Sequence, residues 1–277
     1  MHEDGANPAP HHADNGEHKI AAFFDVDNTI MRGASIYHLA RGLFARGILT
    51  PKDLANYAIT QGKFLISGRE NLTDMAKVTE NALAFVRGRS VEELTTLAEE
   101  IYDDIMADKV WPGTVQLAHS HRAAGHQVWL VSAAPIELAH VIAIKLGLTG
   151  AVATVSEIID GHYSGNLKNE PMHGPQKAQA VIDLAKEHNI DLENSFAYSD
   201  SNNDIPLLTS VGHPTAVNPD AQLRQYAQAH AWPIHDFRRE HFVKRYAVPA
   251  GTTAVALIGA GAGMALAAMR RSRSKDS

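Results

Sequence analysis

Residues 20–24, Ile-Ala-Ala-Phe-Phe, form an unbroken apolar run that stops at Asp25, with Val26-Asp27-Asn28-Thr29 behind it. A half-buried strand alternates apolar with polar residues. A run without alternation suits a strand covered on both faces, as in a parallel sheet between two layers of helices. Ligands of such sheets collect beyond the carboxyl ends of the strands, which is where Asp25 and Asp27 would stand. Two carboxylates this close repel each other and lose solvation together, a strain that a cation or a shared proton relieves. Metal-assisted chemistry is therefore the first expectation. Asp-x-Asp before an Asn is also an ordinary turn and helix-capping sequence, and the pair alone leaves both readings open.

The rest of the chain narrows the choice. Ile36, Leu39, Ala40, Leu43 and Phe44 recur at helical spacing and Gly47 ends the run. Thr50-Pro51 reads as an N-cap with proline at the first helical position, and further helical patterns follow through Leu54–Leu65 and Leu72–Val86. Ser90 and Glu93 form a capping box ahead of Leu94, Leu97, Ile101 and Ile105. From Trp111 the pattern alternates: helix 113–123, strand 127–131, helix 135–147, strand 151–155, a turn or hairpin from Asp160-Gly161 through Gly165, helix 175–188 and strand 195–199. A short helix, strand 215–217, a helix from Pro219 and a strand near Trp232–Ile234 complete it. Strand–helix alternation implies an α/β fold, a Rossmann-like parallel sheet with helices on both faces. The expected division is a core of residues 20–34 and 109–240 with an inserted all-helical domain, 35–108, placed as a lid over Asp25 and Asp27.

The 277 residues suit one large domain or a core with a smaller one, at about 150 residues per domain. No cysteine is present, which excludes disulfides, thiolate nucleophiles and cysteine-based zinc sites. The net charge of −6 argues against a nucleic-acid partner. Residues 1–19 carry charges, histidines and prolines, with too little apolar surface to order themselves, and lack the apolar stretch of a secretory signal. A disordered tail and a cytoplasmic location are the expectation. Residues 247–269 contain no charged side chain, are rich in Ala and Gly, and have basic residues on both sides. That length suffices to cross a bilayer of about 30 Å, although Ala and Gly drive insertion weakly. Membrane contact through this segment and a free tail are both open.

Four patches fall at strand ends. After Asp25–Thr29 comes Ser132, behind Trp129-Leu130-Val131 and ahead of Ala133-Ala134-Pro135 and a helix; a hydroxyl and free amides at a helix start can cradle a phosphate. Lys177 follows Gly174-Pro175 at a helix start, where a cation works against the helix dipole and suggests placement against an anion. Asp200-Ser201-Asn202-Asn203-Asp204 follows the fourth apolar run. Taken singly, each patch is also a plain cap, a surface lysine or a turn.

In this order and spacing the set resembles the haloacid dehalogenase-like superfamily of phosphohydrolases, over residues 20–235, with the helical insertion similar to a type-1 cap and the fourth patch similar to the phosphoserine-phosphatase branch. The resemblance implies a phosphomonoester phosphatase acting through an aspartyl-phosphate on Asp25, with Asp27 as acid and then base. It implies Mg²⁺ held by Asp25, the backbone carbonyl of Asp27, and Asp200. The phosphoryl group would meet Thr29, Ser132, the backbone at Ala133, Lys177 and Asn203. Lys177 would also balance charge on Asp25, and Asp204 would act from behind by orienting Lys177 or the metal's waters. Phosphoserine phosphatases carry a glutamate shortly after the first motif and a cap arginine; here Ala34 stands at the first position and Leu83-Ala84-Phe85 near the second, with Arg69 and Arg87 elsewhere in the insertion. The expected substrate is therefore a different phosphomonoester, a small phosphorylated metabolite or a lipid phosphate. A phosphomutase, a response-regulator-like phospho-acceptor and a regulatory protein acting through partner binding are the competing functions.

Overall fold

The computed structural model describes residues 18–49 and 85–238. Ala21–Asp25 (β1) is buried along its whole length. It shares a sheet with Gln127–Pro135 (β2), Gly150–Thr154 (β3), Phe196–Ser199 (β6), His213–Val217 (β7) and Ile234–His235 (β8). The order of these six strands is β3-β2-β1-β6-β7-β8, and every pairing is parallel. Ser156–Ile159 (β4) and His162–Leu167 (β5) form a separate antiparallel hairpin.

The absence of alternation in residues 20–24 has its cause here. Phe23 packs with Val131, Ala197 and Ala216 under Val181, Ala185, Leu207, Leu208 and Leu223. Those come from the helices Pro175–His188 (α5), Ile205–Leu208 (α6) and Ala221–Ala229 (α7). On the opposite face Phe24 stacks on Tyr198 at 4.3 Å between ring centroids, while Pro112–Ala123 (α3) and Ile136–Lys145 (α4) cover β1, β2 and β3. Both phenylalanines are fully buried, each worth about 2–3 kcal/mol relative to exposure. The chain thus runs β1, β2, β3 towards one edge and resumes with β6 on the other side of β1, so β1 and β6 flank the point where the order reverses.

Between β1 and α3 the described residues are mostly helical: Ser35–Ala45 (α1), Val91–Ile101 (α2), a π turn at Tyr102–Met106 and a 3₁₀ turn at Ala107–Lys109. Helix α2 begins as expected, with Ser90 accepting from the Glu93 amide; the Glu93 carboxylate lies against Arg89. The helical period read through Ile105 is interrupted by the π turn. Residues 88–91 also pair with the hairpin, through Gly88 N to Tyr163 O at 2.8 Å, Tyr163 N to Arg89 O at 3.0 Å and Val91 N to Gly161 O at 3.0 Å.

Lys19, assigned from sequence to the tail, donates its amide to Asn189 and accepts from Asp191, each at 2.9 Å, extending the sheet side of the core by one bridge. The helices expected over 51–65 and 72–84, residues 1–17 and the apolar segment 247–269 lie outside the described residues. Among the described residues no helix is long and apolar enough to cross a membrane. The chain divides into two units, residues 1–235 and 236–277.

Candidate active site

The apolar run ends at Asp25 because the chain turns there: the Val26 carbonyl accepts the amides of Ile30 at 2.9 Å and Met31 at 3.0 Å. Asn28 takes the left-handed conformation (φ 57°), which Asn tolerates, and its Oδ1 accepts from the Gly33 amide at 3.0 Å. The turn delivers Asp27 to the start of α1, where its Oδ1 accepts the Ser35 amide at 2.8 Å. Asp25 and Asp27 therefore sit in different surroundings two residues apart.

Asp25 faces Lys177. The Lys177 ammonium, buried on the first turn of α5, donates to Asp25 Oδ1 at 2.6 Å and to Asp204 Oδ2 at 2.8 Å. Asp204 is itself buried in the 3₁₀ turn Asn202–Asp204 and also accepts from Ser199 Oγ at 2.7 Å. Helix α5 starts at Pro175 behind Gly174, so the proline fixes the first turn and places Lys177 on the inward side rather than in solvent. Burial alone would favour neutral Lys177, but Asp25 and Asp204 outweigh it and hold the ammonium above the usual lysine range.

Negative charge is in excess here. Burial, opposed by Lys177 and reinforced by Asp204 and Asp27, pushes the Asp25 carboxyl up to about 7. Burial and repulsion from Asp25 and Asp204 push Asp200 up to about 8. Asp27 is also raised by burial, against the hydrogen bonding of Ser35. Four carboxylates thus crowd one ammonium, a set of hard oxygen donors short of positive charge, and that fits a hard divalent cation. Among the described residues no three Asp, Glu or His side chains converge as a ready-made metal cage. Mg²⁺ does not require one, since it keeps several waters and uses one or two carboxylates.

Ser132 departs from the expected geometry. Strand β2 does not stop at Val131 but runs to Pro135, with a register shift against β3 between Ser132 and Pro135. Ser132 is consequently no helix cap. Its buried Oγ accepts from the Ala134 amide at 3.1 Å, α4 begins only at Ile136, and Ala133 stands exposed between them. The β1–β2 register pairs Asp25 with Val131, so Ser132 and Ala133 project just past Asp25. Thr154 at the end of β3 fixes this stretch by donating to the Ala133 carbonyl at 2.8 Å.

Thr29 is buried, and its Oγ1 has no hydrogen-bond partner among the described residues. Asn203 lies on the turn before Asp204, its amide donating to Ser201 Oγ at 3.2 Å. Asp25, Asp27, Thr29, Ser132, Ala133, Asp200, Asn203 and Asp204 accordingly lie on the C-terminal strand ends and the turns that follow them, and Lys177 reaches Asp25 and Asp204 from the first turn of α5. Sequence reading missed Ser35, Ser199, Thr154, Asp220, whose Oδ2 accepts the Asn202 amide at 2.9 Å, and Asn218. None of these stands in a motif; the signals available were a helix start at Ser35-Ile36 and an Asn-Pro pair closing an apolar strand at Val217.

A haloacid dehalogenase-like hydrolase model matches residues 22–209, two thirds of the chain, from Asp25 through Asp204; Asn218 and Asp220 lie beyond it. The chain belongs to the haloacid dehalogenase-like hydrolase family. Among its relatives, the phosphoserine phosphatase SerB1 of Mycobacterium tuberculosis is 49% identical over 251 residues, covering 91% of this chain and 80% of the relative. A probable phosphatase of the same organism is 34% identical over 221 residues, covering 80% and 76%. A solved structure of a Bordetella pertussis protein of unknown function is similar with a TM-score of 0.71 at 28% identity, covering 80% of this chain and all of that one. As a member of this hydrolase family with phosphatase relatives, the protein is a phosphatase.

Proposed function

We propose that this haloacid dehalogenase-like phosphatase hydrolyses phosphomonoesters in two steps through an aspartyl-phosphate on Asp25. The observation that carries the reading is the contrast between the two adjacent carboxylates. Asp25 is paired to Lys177 at 2.6 Å, and Asp27 is held apart by the Ser35 amide with its proton affinity raised. A carboxylate paired to an ammonium, and kept ionised once a cation is bound beside it, is suited to nucleophilic attack; a carboxyl held apart by Ser35 and favoured in its protonated form by burial is suited to acid catalysis.

In the first step an Asp25 oxygen bonds to phosphorus and the ester oxygen leaves, taking a proton from Asp27. In the second, Asp27 removes a proton from water as that water attacks the same phosphorus. Orthophosphate departs and the Asp25 carboxylate is restored. Lys177 stays paired to Asp25 and Asp204 throughout, limiting the negative charge that builds as the phosphoryl group transfers. Ser132, the backbone at exposed Ala133, Thr29 and Asn203 surround the phosphoryl oxygens; the Thr29 hydroxyl, without a partner among the described residues, supports a ligand-facing role. Asp25, Asp200 and the Asp27 carbonyl would hold Mg²⁺, which when bound neutralises charge between an anionic nucleophile and an anionic ester. On this reading the insertion, residues 35–108, is the family's cap.

The substrate is a phosphomonoester without the phosphoserine head group. Ala34, the residue before α1, offers no charge to an ammonium, and an amino acid's charged groups without partners are costly to enclose. The name of the SerB1 relative supports phosphoserine as the second reading. Phosphate release is measured from p-nitrophenyl phosphate and from a panel of phosphoserine, histidinol phosphate, sugar phosphates and a lysophospholipid phosphate. The arms are wild type and Asp25→Asn, with Mg²⁺ and with chelator. Mg²⁺-dependent release that Asp25→Asn abolishes is the expected result; release that survives the substitution or the chelator refutes the mechanism. Phosphoserine as the best member refutes the substrate reading alone.

A further inference from the structure

Asn218 is 2% exposed and left-handed (φ 50°) at the end of β7. Its amide donates to the His235 carbonyl at 2.7 Å, which fixes it to β8. Its side chain reaches across the sheet end to β1's turn, where Nδ2 donates to the Asn28 carbonyl at 3.0 Å. Asn28 lies between Asp27 and Thr29, and its own left-handed conformation makes the 28–29 peptide the pivot of that turn.

Two backbone ties of the turn run the opposite way. The Arg32 amide donates to Lys109 O at 2.7 Å and the Trp111 amide to Ile30 O at 2.8 Å. Residues 34 and 109 are where the chain leaves and re-enters the core in the proposed division. The turn carrying Asp27 is thus fastened on one side to the chain entering from the insertion, and Asn218 fastens its other side to β7 and β8. We infer that Asn218 is a positioning residue for acid catalysis: by holding the Asn28 carbonyl it keeps Asp27 aligned with the leaving oxygen. This rests on Asp27 being the acid.

Two variants separate the hydrogen bond from the backbone. Asn218→Gly accepts the left-handed φ freely but has no donor. Asn218→Asp keeps shape and tolerates that φ, but turns an acceptor towards the Asn28 carbonyl. Release of the phenol in the first turnover is followed with Mg²⁺ for p-nitrophenyl phosphate, whose leaving group needs no proton, and for phenyl phosphate, whose leaving group does. Both variants are expected to lose about tenfold or more on phenyl phosphate and less than about threefold on p-nitrophenyl phosphate, a fraction of what acid catalysis supplies. Asp27→Asn, measured alongside, is expected to show the same discrimination more strongly. Discrimination by Asp27→Asn with equal losses, or none, in both Asn218 variants overturns the positioning inference and leaves the mechanism standing. Absence of discrimination in Asp27→Asn overturns the acid assignment, and this inference with it.

Discussion

Removing Mg²⁺ is expected to make the protein's stability fall as pH rises, and restoring Mg²⁺ to abolish that fall. The reason is the carboxylate crowd around Lys177. Asp25 and Asp200 stand at about 7 and about 8 in the folded protein against an ordinary value of 3.8. Between these limits the folded state binds more protons than the unfolded state, so stability is greater at low pH and is lost as pH rises through the folded values. Each pH unit costs about 1.4 kcal/mol per group. From pH 5.5 to 8, Asp25 would lose about 2 kcal/mol and Asp200 about 3 kcal/mol. The two repel each other, so they titrate as a pair, and together the loss comes to about 3–5 kcal/mol. A bound divalent cation keeps both ionised and removes the dependence. Urea unfolding at the two pH values, in EDTA and in Mg²⁺, gives the four stabilities; subtracting the same set for Asp200→Asn cancels the histidines. A wild-type difference in EDTA no larger than that of Asp200→Asn, or equal stabilisation by Mg²⁺ at both pH values, refutes the reasoning.

Lys177→Met leaves Asp25 and Asp204 buried without their ammonium; phosphate release should fall about a hundredfold or more, and stability at pH 8 by about 3 kcal/mol, less at pH 5.5 where the Asp25 carboxyl holds its proton. Steady-state assay and urea unfolding check the pair, and a variant within threefold of wild-type activity contradicts it. Gly212→Ala should destabilise by about 3 kcal/mol or more, because an added Cβ would lie 1.6 Å from the Glu193 backbone oxygen while the Gly212 amide is held to Leu192 O at 2.9 Å. Thermal unfolding reads this directly, and an unchanged midpoint counts against it.

How far sequence reaches differs from element to element. Helix α5 is legible to its bounds, since Gly174-Pro175 starts it and Asn189 ends it in the left-handed conformation, all local chemistry. The centre of the sheet is legible because burial on both faces leaves a mark, the unalternating run. Strand β2 reads four residues short, because Ala133 and Ala134 carry neither strand nor helix preference strongly enough to show that pairing with β3 continues. Residues 88–91 read as helix end and cap, and their pairing with the hairpin depends on chain seventy residues away. The site divides in the same way. Asp25 and Lys177 touch across 152 positions, a contact that no local pattern encodes, and their association came from resemblance to a family. Ser199, Asp220 and Asn218 act through single long-range hydrogen bonds, and nothing in their neighbouring residues announces a partner.

The central place of β1 also sets the order in which the protein can be made. Its neighbours are β2, from Gln127, and β6, from Phe196, so among the described strands the first to be synthesised is the one whose pairing waits longest. At about 5–20 residues per second, residues 20–24 remain without their second neighbour for roughly ten to thirty seconds. Throughout that time two phenylalanines in a strand-forming segment stand open to other chains. Truncation anywhere before β6 leaves them so permanently. A shortened product of this gene should therefore be sticky and chaperone-bound rather than a weak enzyme, and co-translational holding of the amino-terminal segment is built into the strand order itself.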